Sequence, residues 1–195
     1  MVVRRFFEDR HRRFGATREA LDWSAHGQLR RFEVLGEVAD FSGRSVLDVG
    51  SGLGDFLAFL APRSHDVRYT GYDIVEAFVD HARSRFPDAA FQVRDVLREG
   101  IAGEFDLVVS SGLHNVENGG NEEEMASFLR KAWDAAKVAV AVNMLSARAD
   151  KQSEGRHYYD PGRLLHLALG LTRYAVLRHD YLPHDLTLYL YREPR

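Results

Sequence analysis

The chain contains no cysteine, which excludes disulfides, thiolate metal sites and any mechanism that uses a protein thiolate as nucleophile. It also lacks an excess of positive charge, since 26 Lys and Arg stand against 29 Asp and Glu for a net charge of −3. A protein that neutralises many phosphates carries the opposite balance, so no nucleic-acid partner is expected. Long apolar runs are missing too. No window reads as a signal peptide or a membrane span, so a soluble cytoplasmic protein without a membrane partner is expected. Arginines do gather in the N-terminal arm (Arg4, Arg5, Arg10, Arg12, Arg13, Arg18), but Glu8, Asp9 and Glu19 are interspersed. That mixture reads as a solvated surface or a helix covering a site, not as a phosphate-binding patch. The 195 residues, 45% of them hydrophobic, suffice for one domain over 1–195, with 1–41 as a helical cap and 42–195 as an α/β core.

What is present is a run of alternating glycines, Ser45-Val46-Leu47-Asp48-Val49-Gly50-Ser51-Gly52-Leu53-Gly54-Asp55, directly after a short apolar strand. Without a Cβ the chain can turn sharply out of the strand and bring its own N–H and C=O groups against a ligand, above the start of the next helix. A plain tight connection would use glycine as well, so the spacing and context decide. Dinucleotide folds use G-x-G-x-x-G, whose third glycine would fall at Asp55, and a P-loop needs a Gly-Lys-Ser/Thr that this run lacks. Asp48 at the mouth of the turn repels phosphate and attracts a cation. In these residues the chain resembles the class I S-adenosylmethionine (SAM)-dependent methyltransferases, whose first motif reads (D/E)-x-G-x-G-x-G. The resemblance implies SAM as cofactor and S-adenosylhomocysteine (SAH) as product. Members that need a catalytic cysteine, such as those acting at cytosine C5, are excluded.

Helical periodicity at Leu29, Phe32, Leu35 and Val38 predicts a helix within Thr17–Phe41 ahead of the first strand, Val46–Val49. A helix stopped by Pro62, a strand over Val67–Tyr72, a helix over Val75–Phe86, and strands at Ala90–Arg94, Phe105–Val109 and Val138–Val142 follow. Asn121 reads as the cap of a further helix with Glu124 as its capping-box partner, and Asp160-Pro161 as the start of another. Strand–helix alternation gives a parallel sheet with right-handed crossovers. Arg173–Tyr181 and Leu186–Tyr191 are linked too closely to be parallel. Together with the resemblance, this predicts a doubly wound, seven-stranded, mostly parallel sheet with a C-terminal antiparallel hairpin. The stretch Arg178-His179-Asp180-Tyr181-Leu182-Pro183-His184-Asp185 is similar to that of small bacterial methyltransferases whose substrates are not known.

Ligands of such sheets lie across the carboxyl ends of the strands. The resemblance implies backbone contacts from Gly50, Ser51, Gly52 and Gly54, with Asp48 balancing the methionine ammonium. It also implies ribose hydroxyls on Asp73 with Ile74 beside it, the adenine amino group on Asp95 with Val96 against the ring, and the methionine portion near Ser110 and Ser111. Asp73 could instead cap the following helix, and Asp95 could serve a turn. Trp23 could cover the site, with Gln28 or Arg31 reaching the cofactor carboxylate, although a packed Trp23 and an exposed Arg31 fit the sequence equally. Methyl transfer from a sulfonium is an in-line displacement, so alignment supplies most of the rate and no metal is needed. An oxygen or nitrogen acceptor must lose a proton, and His114, just past the fourth strand, is the candidate base. The (D/N/S)-P-P-(Y/F) motif of adenine-amine and glutamine methyltransferases is absent there. A small-molecule O or N acceptor is expected; the alternatives are a protein or RNA methyltransferase, or a SAM-binding protein without turnover. The polar segment Ser146–Tyr159 is long enough for a lid. Purified protein is expected to bind SAM and SAH but not NAD, and calorimetry with NAD at comparable affinity would defeat the reading of the glycine run.

Overall fold

The computed structural model describes residues 2–195. Seven strands form one sheet: β1 (Ser45–Val49), β2 (Arg68–Asp73), β3 (Ala90–Val93), β4 (Phe105–Ser111), β5 (Ala136–Leu145), β6 (Ala175–Arg178) and β7 (Asp185–Tyr191). Their order is β3-β2-β1-β4-β5-β7-β6. β1 to β5 pair in parallel, while β7 inserts antiparallel between β5 and β6. The short Arg178-to-Asp185 link makes that last pairing obligatory. Chain order reverses between β1 and β4, and a crevice opens at such a point.

Adjacent residues of the central strands point to opposite faces, and both faces are buried. Leu47, Val108 and Val140 pack with Phe128 and Leu129 of α6 (Asn121–Ala135) and Leu164 of α7 (Pro161–Leu169). On the other face Val46, Leu107 and Ala139 pack with Val34 and Leu35 of α2 (Ala25–Gly36) and Phe56 and Leu60 of α3 (Asp55–Leu60). Asp160 caps α7, accepting from Arg163 N at 3.0 Å, with Pro161 in the first turn. The remaining helices are α1 (Val2–Phe14), α4 (Glu76–Arg85) and the short α5 (Val96–Glu99).

The helix expected within Thr17–Phe41 is α2, and it begins only at Ala25. Arg18–Leu21 is a 3₁₀ turn that ends at Asp22 in the left-handed region (φ 64°), and Ser24 then caps α2 by accepting from Gly27 N. The periodic residue Leu29 faces solvent, 47% exposed. α2 packs on the sheet and, through Gln28, Phe32 and Leu35, also borders the crevice, while residues 2–23 reach over the strand ends. There Phe7, Phe14 and Leu21 pack on a small cluster of Ala20, Leu53, Val75 and Phe78. The capping box at Asn121 does not form either. Gly120 holds the cap position, and the Asn121 amide instead donates to the carbonyls of His114 and Val116 at 2.9 and 2.8 Å. Two backbone carbonyls leaving a strand end outbid one helix cap.

Within β2, Gly71 admits no side chain: a Cβ there would lie 2.5 Å from Phe91 Cδ1 and 2.7 Å from Ser51 Oγ. Gly71→Ala is expected to destabilise the fold by about 1–3 kcal/mol through overpacking. Urea unfolding measures this, and an unchanged midpoint would show that Phe91 and Ser51 can retreat.

Candidate active site

The turn after β1 is shaped by its bonds to β2. Gly50 N and Ser51 N both donate to Tyr72 O, at 2.7 and 3.0 Å, and Gly52 N donates to Asp73 Oδ2 at 2.9 Å. Gly50 (φ 80°) and Gly52 (φ 51°) are both left-handed, which L side chains adopt only at a cost. The turn lies on the wall of a cavity of about 1230 Å³ that spans the ends of β1 to β4, with Asp48, Ser51, Asp73, Ile74, Asp95 and Val96 along it. Ser111 and His114 line it past β4. From above, Leu21 sits so close to Gly52 that a Cβ there would come within 3.0 Å of it.

Two carboxylates are sunk beside the turn. Asp48 is 4% exposed and accepts a hydrogen bond from the Tyr69 hydroxyl. Burial pushes its carboxyl up to about 7, the Tyr69 bond opposes this, and the nearby Asp73 adds to it. Asp73 accepts from Gly52 N with one oxygen and from Val75 N with the other, each at 2.9 Å. Burial raises its pKa as well, against the lowering effect of those amides. It therefore closes the turn that leads into α4, without capping the helix itself, and also borders the cavity, and each oxygen retains a second lone pair. Asp95 caps α5, accepting from Leu97 N and Arg98 N at 3.1 and 3.4 Å, while still bordering the cavity.

Two expected residues lie elsewhere. Ser110 is fully buried behind the wall, where its hydroxyl donates to Val49 O at 2.7 Å and braces β4 against β1. Gly54 starts α3 away from the cavity, and a Cβ there would press on Phe86 and Phe91 at 3.0 and 3.2 Å. A left-handed φ of 77° and this packing both demand glycine there. Arg31 is not available to a cofactor carboxylate either. It is buried against Asp185 of β7, donating from Nη2 to Oδ1 at 3.1 Å, with an off-line ion contact from Nε to Oδ2 at 2.8 Å. Its guanidinium also lies 4.0 Å from the Trp23 ring. Trp23 in turn rests on Gly112, where a Cβ would fall 2.6 Å from the indole. Gln28 lines the cavity but is held between Arg18 Nε and Asp55 Oδ2 at 2.8 and 3.0 Å.

His114 is 5% exposed, its ring 5.4 Å from that of Phe128. Nδ1 faces Glu124 Oε2 at 3.6 Å, and the imidazole holds that carboxyl below its usual range. Nε2 is buried without a hydrogen-bond partner, as is Ser51 Oγ. Sequence reasoning missed Tyr69, Leu21 and Glu124 as parts of this site. Glu124 carried a signal, its carboxylate ten residues beyond His114, but it was read as a capping partner. The segment Ser146–Tyr159 is tied down at its end: Ala147 N donates to Tyr159 O at 2.8 Å, His157 N to Asn115 O at 3.0 Å, and Arg156 pairs with Asp22. It borders a second cavity and not the large one.

A buried acid whose folded pKa (about 7 for Asp48) exceeds its unfolded value of about 4 binds its proton more tightly in the folded state. Its contribution to stability is therefore greatest at low pH and falls as pH rises from about 4 to about 7. Asp48→Asn is expected to match wild type near pH 4 and to exceed it by up to about 4 kcal/mol above pH 7. Urea titrations across that range check this; a gap that does not grow with pH would place the Asp48 proton in the ordinary carboxylate range.

The cradle fits the cofactor expected from the resemblance: a glycine turn fastened to β2, an unpaired Ser51 hydroxyl, two sunken carboxylates and an apolar shelf of Ile74 and Val96. A family model for the methyltransferase domain matches residues 46–150. The Mycobacterium tuberculosis protein Rv1506c, which carries a methyltransferase name, is 28% identical over 151 residues, covering 74% of this chain and 90% of its own. Malonyl-[acyl-carrier protein] O-methyltransferase of Acetivibrio thermocellus is 27% identical over 123 residues, 58% of this chain and 44% of that protein. Among solved structures, magnesium protoporphyrin IX methyltransferase from Synechocystis PCC 6803 with bound SAH aligns with a TM-score of 0.71 at 15% identity, over 98% of this chain and 99% of that one. The DhpI–SAH complex aligns with 0.69 at 16%, over 100% and 95%. At those identities the structural likeness speaks for the fold, and the family match speaks for the chemistry. The chain belongs to the methyltransferase domain family and is a class I SAM-dependent methyltransferase.

Proposed function

We propose that this enzyme methylates an oxygen or nitrogen of a small molecule, and that the chain works as one domain over 1–195. The observation that carries the reading is the closure of the site by residues 2–23. Leu21 presses on the glycine turn and Trp23 on Gly112, and both border the space between the turn and α1. A polymer would need an open groove there, and the net charge of −3 offers little to nucleic acid.

In this reading the backbone of Gly50, Ser51 and Gly52 holds the methionine end of SAM, with Asp48 opposite its ammonium and Ser111 beside it. Asp73 accepts the ribose hydroxyls through its remaining lone pairs, Ile74 and Val96 flank the adenine, and Asp95 receives its amino group. When bound, the cofactor supplies a methyl from its sulfonium: the acceptor atom forms the new bond to carbon as the S–C bond breaks and sulfur keeps the pair. His114 takes the acceptor's proton at Nε2, with the Glu124 carboxylate 3.6 Å from its Nδ1. A buried imidazole nitrogen without a partner is costly unless a ligand engages it, which supports this role.

The test uses SAM labelled in its methyl group and a cell extract separated by size. Label is expected in the small-molecule fraction, and His114→Gln is expected to lower turnover by roughly 100-fold with SAM affinity nearly unchanged. Label confined to protein or RNA would overturn the acceptor class, and wild-type turnover in the folded variant would remove His114 from catalysis.

A further inference from the structure

The second cavity, about 320 Å³, adjoins the first and shares with it Phe7, Leu21, Trp23 and Gly112. That volume is the size of a one-ring ligand. One side of it is aromatic, built from Phe6, Phe7, Trp23 and Tyr158. The part of its lining that the large cavity does not share carries the cations Lys151 and Arg156, the Arg156 guanidinium 4.7 Å from the Phe6 ring.

The charges on that part do not cancel. Among the described residues Asp22 is the one acidic side chain on the wall, and it is shared by two guanidiniums: Arg10 at 2.9 Å and Arg156. Three charges in that cluster leave one positive. Lys151 has no carboxylate partner among the described residues and adds a second. Arg31, also on the wall, is neutralised by Asp185 and adds none. The cationic part of the lining is also built and not merely draped. Ser153 N donates to the Tyr158 hydroxyl at 2.8 Å, and Gln152 Nε2 to Ala147 O at 3.3 Å, which fixes the turn that carries Lys151.

We propose that the second cavity holds the acidic group of the methyl acceptor, a planar one-ring acid whose anion sits between Lys151 and Arg156 while its ring lies along the aromatic wall toward Gly112. This rests on the small-molecule reading above and adds the acceptor's chemical class. The anion is an anchor. Because Lys151 and Arg156 line the second cavity and not the cofactor cavity, the nucleophile is a second group on the ring, away from the anion.

Matched single-ring pairs test it: para-hydroxybenzoate against para-hydroxybenzamide, and phenylacetate against phenylacetamide, titrated into SAH-loaded protein and followed by backbone amide NMR shifts. The acids are expected to give saturable shifts at Lys151, Arg156 and Trp23 and to bind about tenfold more tightly than the amides, the discrimination an ionic hydrogen bond supplies. Lys151→Gln, at an exposed position that leaves packing intact, should abolish most of that preference with amide binding unchanged. Equal binding of acids and amides, no acid binding at millimolar concentration, shifts confined to other surfaces, or an unaltered preference in Lys151→Gln would each overturn the proposal. Calorimetry of SAH on the same sample separates the two claims. Failure to bind SAH would tell against the methyltransferase reading, whereas SAH binding without acid preference removes only the acceptor class.

Discussion

The carboxylate of Asp73 is the fixed point on which the rest of the site depends. One oxygen takes Gly52 N and the other takes Val75 N, so a single side chain at the end of β2 sets both the glycine turn after β1 and the turn that leads into α4. Tyr72 O completes the attachment by accepting from Gly50 and Ser51. A carboxylate this deep is tolerable only because charged acceptors make strong bonds to backbone amides. The arrangement also explains the demand on Gly71: the turn is drawn so close to β2 that Ser51 Oγ occupies the space of any Cβ there. Motif and neighbouring strand are therefore one unit.

Two buried acids side by side are an electrostatic liability in the free protein. Burial acts first on Asp48, and the proximity of Asp73 raises it further. A cation placed over the turn relieves both effects, whereas a pyrophosphate would add to them. The same burial that costs stability when Asp48 is ionised thus gives the site its preference of charge. Tyr69 tempers the cost by donating to the carboxylate, and it does so from β2, the strand that Asp73 ends.

The central strands were legible in the sequence because β1, β2, β4 and β5 are apolar runs that end at or just before Gly50, Asp73, Ser111 and Ser146, and the ends of β1, β2 and β4 carry most of the cofactor wall. Asp160-Pro161 was equally plain, since a side-chain cap and a proline in the first turn act locally. What could not be read depends on partners distant in the chain. Ser110 points inward because β4 pairs with β1, and Asn121 leaves its helix cap for carbonyls past β4. Gly54 is required by aromatic rings more than thirty residues away. Leu29 satisfied the helical period, yet the face it continues ends at the rim of α2. Asp95 and Asp73 show the limit of a choice between local bond and ligand contact, because a carboxylate at a strand end can serve a helix, or the turn into one, and still border a cavity.

The two halves of the site are built from different parts of the chain. The cofactor half comes from strand ends whose positions follow from the sheet, so any sequence that folds this way supplies it. The half beyond Gly112 comes from residues 2–23 and 146–159, which pack on the sheet without belonging to it. Those two segments are fastened to each other through Asp22, held by Arg10 on one side and Arg156 on the other, and to the core through Trp23, stacked on the buried Arg31. The Asp22 bridges are partly exposed and fix geometry more than they stabilise, whereas the Arg31–Asp185 pair beneath Trp23 is buried. Their use here places rigidity at the wall that an acceptor would meet. A change of acceptor would therefore require both segments to change together, while the turn at Gly50–Gly52 and its anchor at Asp73 could stay as they are.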